Sequence, residues 1–272
     1  MSTRREPGHE QVFDSGIQLA LTGAVALITI DRADTRNAIS TEVMHDLAAI
    51  LDEIEARTDV AVVGIRGAGD RAFVSGGDLK ELAGIRSFEA AKTMADMMRQ
   101  VLDRLASLPM PTVALVNGDT YGGGAELAIA CDMRLAATDV TIGFTQARLG
   151  IMPAWGGVER LTALVGRGRA SYLLATGAAL TAADAREMGL FEVVHPRDEF
   201  EEQARRLLET IAGVPAGPRH AIKQLVNAVA RPSWPATADA ATSSFAHAWI
   251  ADEHWAMAAA AEHKRRARDS SE

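Results

Sequence analysis

Cysteine is nearly absent. The single thiol, Cys131, excludes an intrachain disulfide and any zinc or iron–sulfur centre built from several thiolates. Positive charge is in deficit: 28 Lys and Arg against 36 Asp and Glu leave a net charge of −8, which argues against non-specific nucleic-acid binding. Long apolar runs are missing too. Residues 24–30 form one of the longest, far short of the ~20 residues a bilayer span requires, so no membrane association is expected. The amino terminus has no apolar core for a secretory signal, and Glu6, Glu10 and Asp14 argue against an acid-poor transit peptide. Residues 1–16 are therefore expected to form a flexible solvated tail, and the protein to be cytoplasmic. No GKS or GKT phosphate loop, strand-linked GxGxxG, HExxH or GxSxG occurs. The seven histidines are scattered, which speaks against a metal site or a catalytic triad.

What remains is an ordinary globular composition, 48% apolar and 24% charged over 272 residues, enough for one α/β domain with or without an appended helical part. Two β-prone runs, 17–21 and 25–30, separated by Thr22, Gly23 and Ala24, predict a hairpin. Ser40 is placed as an N-cap, with Val43, Leu47, Ile50, Leu51 and Ile54 at helical spacing behind it. A strand follows at 60–65. Met94, Met97, Met98, Val101, Leu102 and Leu105 mark a long helix that Pro109 and Pro111 end before a buried strand at 112–116. A glycine triplet, a short apolar helix and a strand near 133–136 come next. This alternation predicts parallel strands with crossover connections. Beyond residue 194 only helices are expected, at about 198–212, 217–230, 237–250 and 252–267, interrupted by prolines. The chain divides into a tail (1–16), a core (17–196) and a helical carboxyl-terminal region (197–272).

Chemistry concentrates in two glycine clusters. Gly122, Gly123 and Gly124 run into the helix-like Ala125-Glu126-Leu127-Ala128, and a glycine helix start exposes backbone N–H groups that suit an anion or a developing oxyanion. Gly123 and Glu126 share the first turn's face, so a donor and a carboxylate meet at one spot. The alternative is close packing by the glycines and a favourable dipole interaction for Glu126. Ser75-Gly76-Gly77-Asp78-Leu79-Lys80 repeats the design, with Asp78 as the cap.

Taken together, four segments resemble the enoyl-CoA hydratase/isomerase (crotonase) superfamily: Asp31-Arg32 with Asn37-Ala38; Ala72-Phe73 with Gly76-Gly77-Asp78-Leu79-Lys80; Asn117-Gly118 with Gly122-Gly123-Gly124-Ala125-Glu126; and Leu149-Gly150-Ile151-Met152-Pro153 with Gly156-Gly157. The resemblance runs from about Ile17 to the carboxyl terminus. It implies a crotonase-like spiral of ββα turns followed by a helical oligomerisation region, a homo-trimer or hexamer, and an acyl-CoA substrate, with CoA part of the substrate and no separate cofactor or metal. It also implies that the Gly77 and Gly123 amides bond the thioester oxygen, that Glu126 is an acid/base, and that Arg36, Ala38, Ala72, Gly76, Asp78, Leu79, Lys80 and Gly122 line the CoA and substrate groove.

One position departs from the pattern. Family hydratases hold a second glutamate four residues before the glycine matching Gly150; here that residue is Gln146. An amide can orient a water but cannot exchange a proton near neutral pH, and loss of a positioned acid or base typically costs ~10²–10⁴-fold. Three readings follow: a hydratase-like lyase using Glu126 with Gln146 as a water holder, a decarboxylase of a malonyl-type thioester such as methylmalonyl- or ethylmalonyl-CoA, and a non-catalytic acyl-CoA-binding protein. Pro153-Ala154-Trp155-Gly156-Gly157 is similar to the tryptophan version in some decarboxylase members. Residues 83–98 form either a lid or an amphipathic helix with a loop before it. Phe245, Trp249, Trp255 and Met257 are expected on surfaces that one core does not cover, which points to partner subunits, and Lys264, Arg265, Arg266 and Arg268 form either a CoA-phosphate site or a solvated helix end.

Overall fold

The computed structural model describes residues 9–230 and 235–269. Period-two burial builds the first hairpin: Ile17, Leu19 and Leu21 of β2 (Ile17–Thr22) and Ala26, Ile28 and Ile30 of β3 (Val25–Ile30) all point into the core. Ahead of it, β1 (His9–Val12) pairs antiparallel with β2. This corrects the solvated tail expected over 1–16: residues 9–12 are held by backbone pairing, which a polar sequence such as His-Glu-Gln-Val does not advertise. Helix α1 (Thr41–Glu55) begins where Ser40 accepts a hydrogen bond from the Val43 N–H, and its apolar face is buried.

From there the chain winds in ββα turns. The first contains β4 (Val62–Gly67), β5 (Ala72–Val74), the single-turn α2 (Leu79–Leu82) and the long α3 (Phe88–Ser107). The second contains β6 (Thr112–Val116), β7 (Asp119–Tyr121) and α4 (Gly123–Ala130). The third contains β8 (Met133–Ala137), β9 (Thr141–Gly143), a 3₁₀ turn over Thr145–Leu149 and α5 (Gly157–Thr176). Strand β10 (Ala179–Thr181), α6 (Ala182–Glu187) and β11 (Val193–His195) close the spiral. Each turn gives one strand to a large sheet, ordered β1-β2-β3-β4-β6-β8-β11, and one to a small sheet, ordered β10-β9-β7-β5. Pairing is parallel from β3 to β11 in the large sheet and among β5, β7 and β9 in the small one. Strand β6 is buried throughout, the mark of a parallel strand covered on both faces.

Two asparagines staple the turns together. Asn117 accepts from the Gly67 N–H and donates to the Gly67 and Gly69 carbonyls; Asn37 donates to the Ala68 and Ala72 carbonyls. The parallel strands β5, β7 and β9 therefore run side by side, and the segments that leave them, 75–79, 122–126 and 144–149, converge.

Four helices follow: α7 (Arg197–Ala212), α8 (Ala216–Ala230), α9 (Pro235–Trp249) and α10 (Asp252–Asp269). Helix α9 packs against α3, and α10 against the 145–149 turn. Phe245 and Trp249 are thereby buried on their own chain, and Trp255 is half-buried, its indole N–H donating to the Trp249 carbonyl at 2.8 Å. For Phe245 and Trp249 this corrects the expectation of a surface that one core leaves uncovered: α3 covers the helix that carries them. No helix among the described residues is long and apolar enough to cross a membrane.

Candidate active site

The two glycine clusters meet. Gly76 (φ +108°) and Gly122 (φ +56°) occupy backbone conformations that other residues rarely adopt, and a methyl group on Gly76 would lie 3.5 Å from the Gly123 nitrogen. The peptides flanking Gly77 are fixed by Ile39, whose N–H donates to the Gly76 carbonyl and whose carbonyl accepts from the Asp78 N–H, each at 2.8 Å. Gly123 is the first residue of α4, where a backbone N–H has no intrahelical acceptor. A side chain at Gly123 would overlap the Trp155 indole, and one at Gly124 would overlap the Val74 carbonyl, so close approach dictates glycine at both.

One turn along α4, Glu126 is 2% exposed. Its Oε1 accepts the N–H groups of Trp155 (2.8 Å) and Gly157 (2.9 Å), and its Oε2 accepts from Gln146 Nε2 (2.9 Å). Burial nevertheless outweighs these donors and the attraction of Arg160, pushing the carboxyl up to about 7 from its ordinary 4.5. Such a group can both take and return a proton near neutral pH. The oxygen of the Gln146 amide, Oε1, is buried and has no hydrogen-bond partner among the described residues. At the far end of α4, burial pushes the Cys131 thiol up to about 12, which leaves it protonated and inert.

Gly77, Gly123, Glu126 and Gln146 all line one cavity of about 90 Å³. Ser75, whose hydroxyl donates to the Thr35 carbonyl at 3.2 Å, and Thr145 also line it, while Met94, Trp155, Phe245 and Trp249 make its apolar side. Of the expected groove residues, Gly76, Leu79 and Gly122 line this cavity, and Arg36, Ala38, Ala72, Asp78 and Lys80 do not. Their positions explain why. The Ala72 carbonyl accepts from Asn37 Nδ2 at 2.7 Å, the Ala38 carbonyl accepts from Arg32 Nη1 at 2.6 Å, and Asp78 caps α2 while pairing with Arg32 at 3.0 Å. Arg36 lends its carbonyl to the Ser75 N–H at 3.2 Å, and Lys80 is exposed on α2. Residues 83–87 are a loop, and Phe88 begins α3, whose Met94 forms part of the cavity wall. The arrangement is that of an amphipathic helix with a loop before it. Arg266 pairs with Glu262 and Lys264 is exposed, whereas the side chains of Arg265 and Arg268 lie outside the described residues.

Sequence reasoning missed the Trp155 and Gly157 N–H groups as partners of Glu126. The fourth segment, Pro153 to Gly157, held the available signal: a helix start led by two glycines, the same device as at 76–77 and 122–124. No group of three or more His, Cys, Asp or Glu side chains that could hold a metal ion occurs among the described residues.

Comparison with known proteins gives one consistent answer. The family model described as enoyl-CoA hydratase/isomerase matches residues 21–266. A short-chain-enoyl-CoA hydratase of Clostridium acetobutylicum is 34% identical over 197 residues, 72% of this chain and 75% of that protein. Among solved structures, an enoyl-CoA hydratase from Bacillus anthracis is 36% identical with a TM-score of 0.75, covering 78% of this chain and 82% of that one. An enoyl-CoA hydratase from Mycobacterium avium subsp. paratuberculosis is 26% identical with a TM-score of 0.84, covering 92% of this chain and 100% of that one.

Proposed function

Since this chain belongs to the enoyl-CoA hydratase/isomerase family and is an enzyme acting on acyl-CoA, we propose that it is a lyase that adds water across the 2,3 double bond of an enoyl-CoA thioester, with Glu126 as its acid/base. The observation that carries the reading is the Glu126–Gln146 pair: Gln146 Nε2 holds Glu126 Oε2 at 2.9 Å while its buried Oε1 has no hydrogen-bond partner among the described residues. That acceptor suits a water whose other proton points at Glu126. In the forward step Glu126 takes a proton from this water, the water oxygen bonds to C3, and the displaced electron pair moves onto the thioester oxygen. The Gly77 and Gly123 N–H groups bond the resulting enolate oxygen, a type of interaction worth about 3–4 kcal/mol per donor. Glu126 then returns the proton to C2, completing the 3-hydroxyacyl-CoA. The reaction so written needs no cofactor beyond the CoA carried by the substrate.

Decarboxylation of a malonyl-type thioester ranks second. Among the described residues lining the cavity, Glu126 is the charged one and no Lys or Arg is present, so a substrate carboxylate would meet a like charge in a poorly hydrated site. Turnover of crotonyl-CoA against methylmalonyl- and ethylmalonyl-CoA separates the two, and tight CoA-ester binding without turnover of any would favour a binding protein. Glu126→Gln should lower hydration kcat by ~10²-fold or more with little change in CoA-ester affinity. An unchanged kcat removes Glu126 from the mechanism.

The same reading includes a homo-trimer or hexamer acting in the cytoplasm. Support for assembly comes from α8, where Ile222, Leu225, Val226 and Val229 are each at least 60% exposed and share one helix face. Light scattering should return a multiple of 28.9 kDa at micromolar concentration.

A further inference from the structure

Behind Glu126 lies a charged group that the proposed reaction has not used. Arg160 sits in the first turn of α5 and is 2% exposed. Its Nη1 donates to the Trp155 carbonyl at 2.8 Å, and its Nη2 pairs with Asp103 of α3 at 2.5 Å. The guanidinium fills the space that Gly156 (φ +91°) leaves open, since a methyl group there would overlap Nη1. The Trp155 carbonyl belongs to the middle peptide of three. The outer two supply the N–H groups of Trp155 and Gly157, which converge on Glu126 Oε1 at 2.8 and 2.9 Å. Gripping the middle peptide therefore fixes both donors together.

We propose that Arg160, anchored by Asp103, is a positioning residue for Glu126: it aims the two N–H groups at Oε1 and supplies the positive field that helps the carboxylate persist in a buried site. The proposal rests on the reading of Glu126 as the acid/base. The attraction of Arg160 already opposes the burial that raises the Glu126 carboxyl. The other charges near this helix are engaged elsewhere. From α3, Arg99 pairs with Glu159 at 2.8 Å and approaches Asp103 at 3.6 Å. On β7, Asp119 holds the Thr141 N–H and hydroxyl; on β8, Arg134 is held by Glu192 and the Leu190 carbonyl; and beside Gln146, Arg148 turns to the Thr176 carbonyl. Strands β5 and β6 carry no ionisable side chain.

Charge and grip can be separated in the full-length enzyme. Hydration needs ionised Glu126, so the acid limb of the kcat profile reports its proton affinity. Arg160→Met should lower kcat ~10-fold or more, leave KM within ~3-fold and move the acid limb to higher pH. Arg160→Lys, which keeps the charge but loses the planar fork, should leave the limb near its wild-type position while kcat stays low. Asp103→Asn removes the anion that offsets Arg160, so its limb should move to lower pH. A purely structural role would lower folded yield or kcat without shifts of opposite sign. An Arg160→Met limb that coincides with wild type, or shifts of the same sign in Arg160→Met and Asp103→Asn, overturns the proposal. Should Arg160→Met fail to fold, Asp103→Asn decides alone: its side chain is 46% exposed, and an unmoved limb overturns the proposal. Glu126→Gln run alongside keeps the two ideas apart. Full activity in that variant sinks the acid/base reading itself, whereas an inactive Glu126→Gln with unmoved limbs in the Arg160 and Asp103 variants sinks only the positioning role.

Discussion

The cavity is walled by two regions made in different ways. The spiral core contributes Gly77, Gly123, Glu126 and Gln146, each fixed by the backbone of a parallel strand or helix start. Helices α9 and α10 contribute an aromatic wall instead: Phe245 and Trp249 face the cavity, and His254 stands behind them between Trp249 (4.8 Å between ring centres) and Trp255 (4.6 Å). Trp249 is tied to the loop ahead of α3 through the Ile85 carbonyl, and Arg86 lies 3.7 Å over the Trp255 ring. Each wall buries a titratable group beside the cavity, and these two are shifted oppositely. Burial raises the Glu126 carboxyl to about 7, while burial lowers His254 below its ordinary 6.5. Both walls thus favour the neutral form, but for an acid and a base that means opposite responses to pH.

The sharpest way to break the core wall is Gly123→Ala. The added methyl would overlap the Trp155 ring, displacing at once the proposed oxyanion donor and the residue whose N–H holds Glu126. Hydration kcat should fall ~10²–10³-fold, with overpacking costing a further ~1–3 kcal/mol of stability. Steady-state kinetics on crotonyl-CoA and a denaturant melt check both. Near-normal kcat would mean that the Gly123 amide lies away from the reacting oxygen.

A smaller effect falls on stability. Between the ordinary carboxyl value of 4.5 and about 7, folded Glu126 keeps a proton that the unfolded chain has released. Stability is therefore lost as pH rises through that window, on the order of 3 kcal/mol by its upper end. Glu126→Gln keeps acceptors for the Trp155 and Gly157 N–H groups, and the Gln146 amide can turn its Oε1 to the new NH₂. The variant should be inactive yet more stable than wild type above about pH 7. Equal unfolding free energies at about pH 8 would place an ionised Glu126 at no cost in the fold.

The two walls also differ in how much of them could be read from the sequence. Core elements followed from periodicity and punctuation: Ser40 capping α1, Pro109 ending α3, continuous apolar residues in β6. The glycine clusters marked where the chain closes on the cavity, because close approach leaves no room for another side chain. Strands β5, β7, β9 and β10, each only three residues long, gave no periodic signal, although they bring the clusters together. For the aromatic wall the helices were legible and their partner was not. An apolar helix face says that it is covered, and only tertiary packing says by what; here α3 covers α9. Long-range pairing likewise hid β1 and the path from Arg160 through the Trp155 carbonyl.

A more modest change tests how the core wall handles its missing carboxylate. Gln146→Glu would put a second carboxylate about where Nε2 now stands, 2.9 Å from Glu126 Oε2. Two carboxylates that close share a proton, so the pair titrates as a unit and the kcat profile should become bell-shaped. Crotonyl-CoA hydration should rise at least ~10-fold, a fraction of the ~10²–10⁴ a positioned acid or base supplies, because the surroundings are built for an amide. An unchanged rate and pH profile would mean that Gln146 does not face the substrate.

The smallest expected effect belongs to the aromatic wall. His254 Nδ1 lies 2.6 Å from the Leu149 carbonyl, a contact in which the neutral ring donates, and its buried Nε2 has no partner among the described residues. Protonation would place a charge between two indoles with nothing to receive the second N–H, which is why burial lowers this group. The unfolded chain binds the proton more readily, so stability from this site is present above the ordinary value of 6.5 and declines as pH falls below it. Glu126 acts with the opposite sign across an overlapping range, so the two contributions oppose each other in the wild-type melting temperature between about pH 8 and pH 5. Glu126→Gln exposes the His254 contribution, and that variant should lose stability on acidification. His254→Asn retains a donor for the Leu149 carbonyl and removes the titration, so it should gain stability over the same interval as Glu126 takes up its proton. The slopes are compared rather than the absolute melting temperatures, because loss of the imidazole also removes packing between Trp249 and Trp255. Parallel slopes in wild type and both variants would show that neither wall couples its buried group to folding.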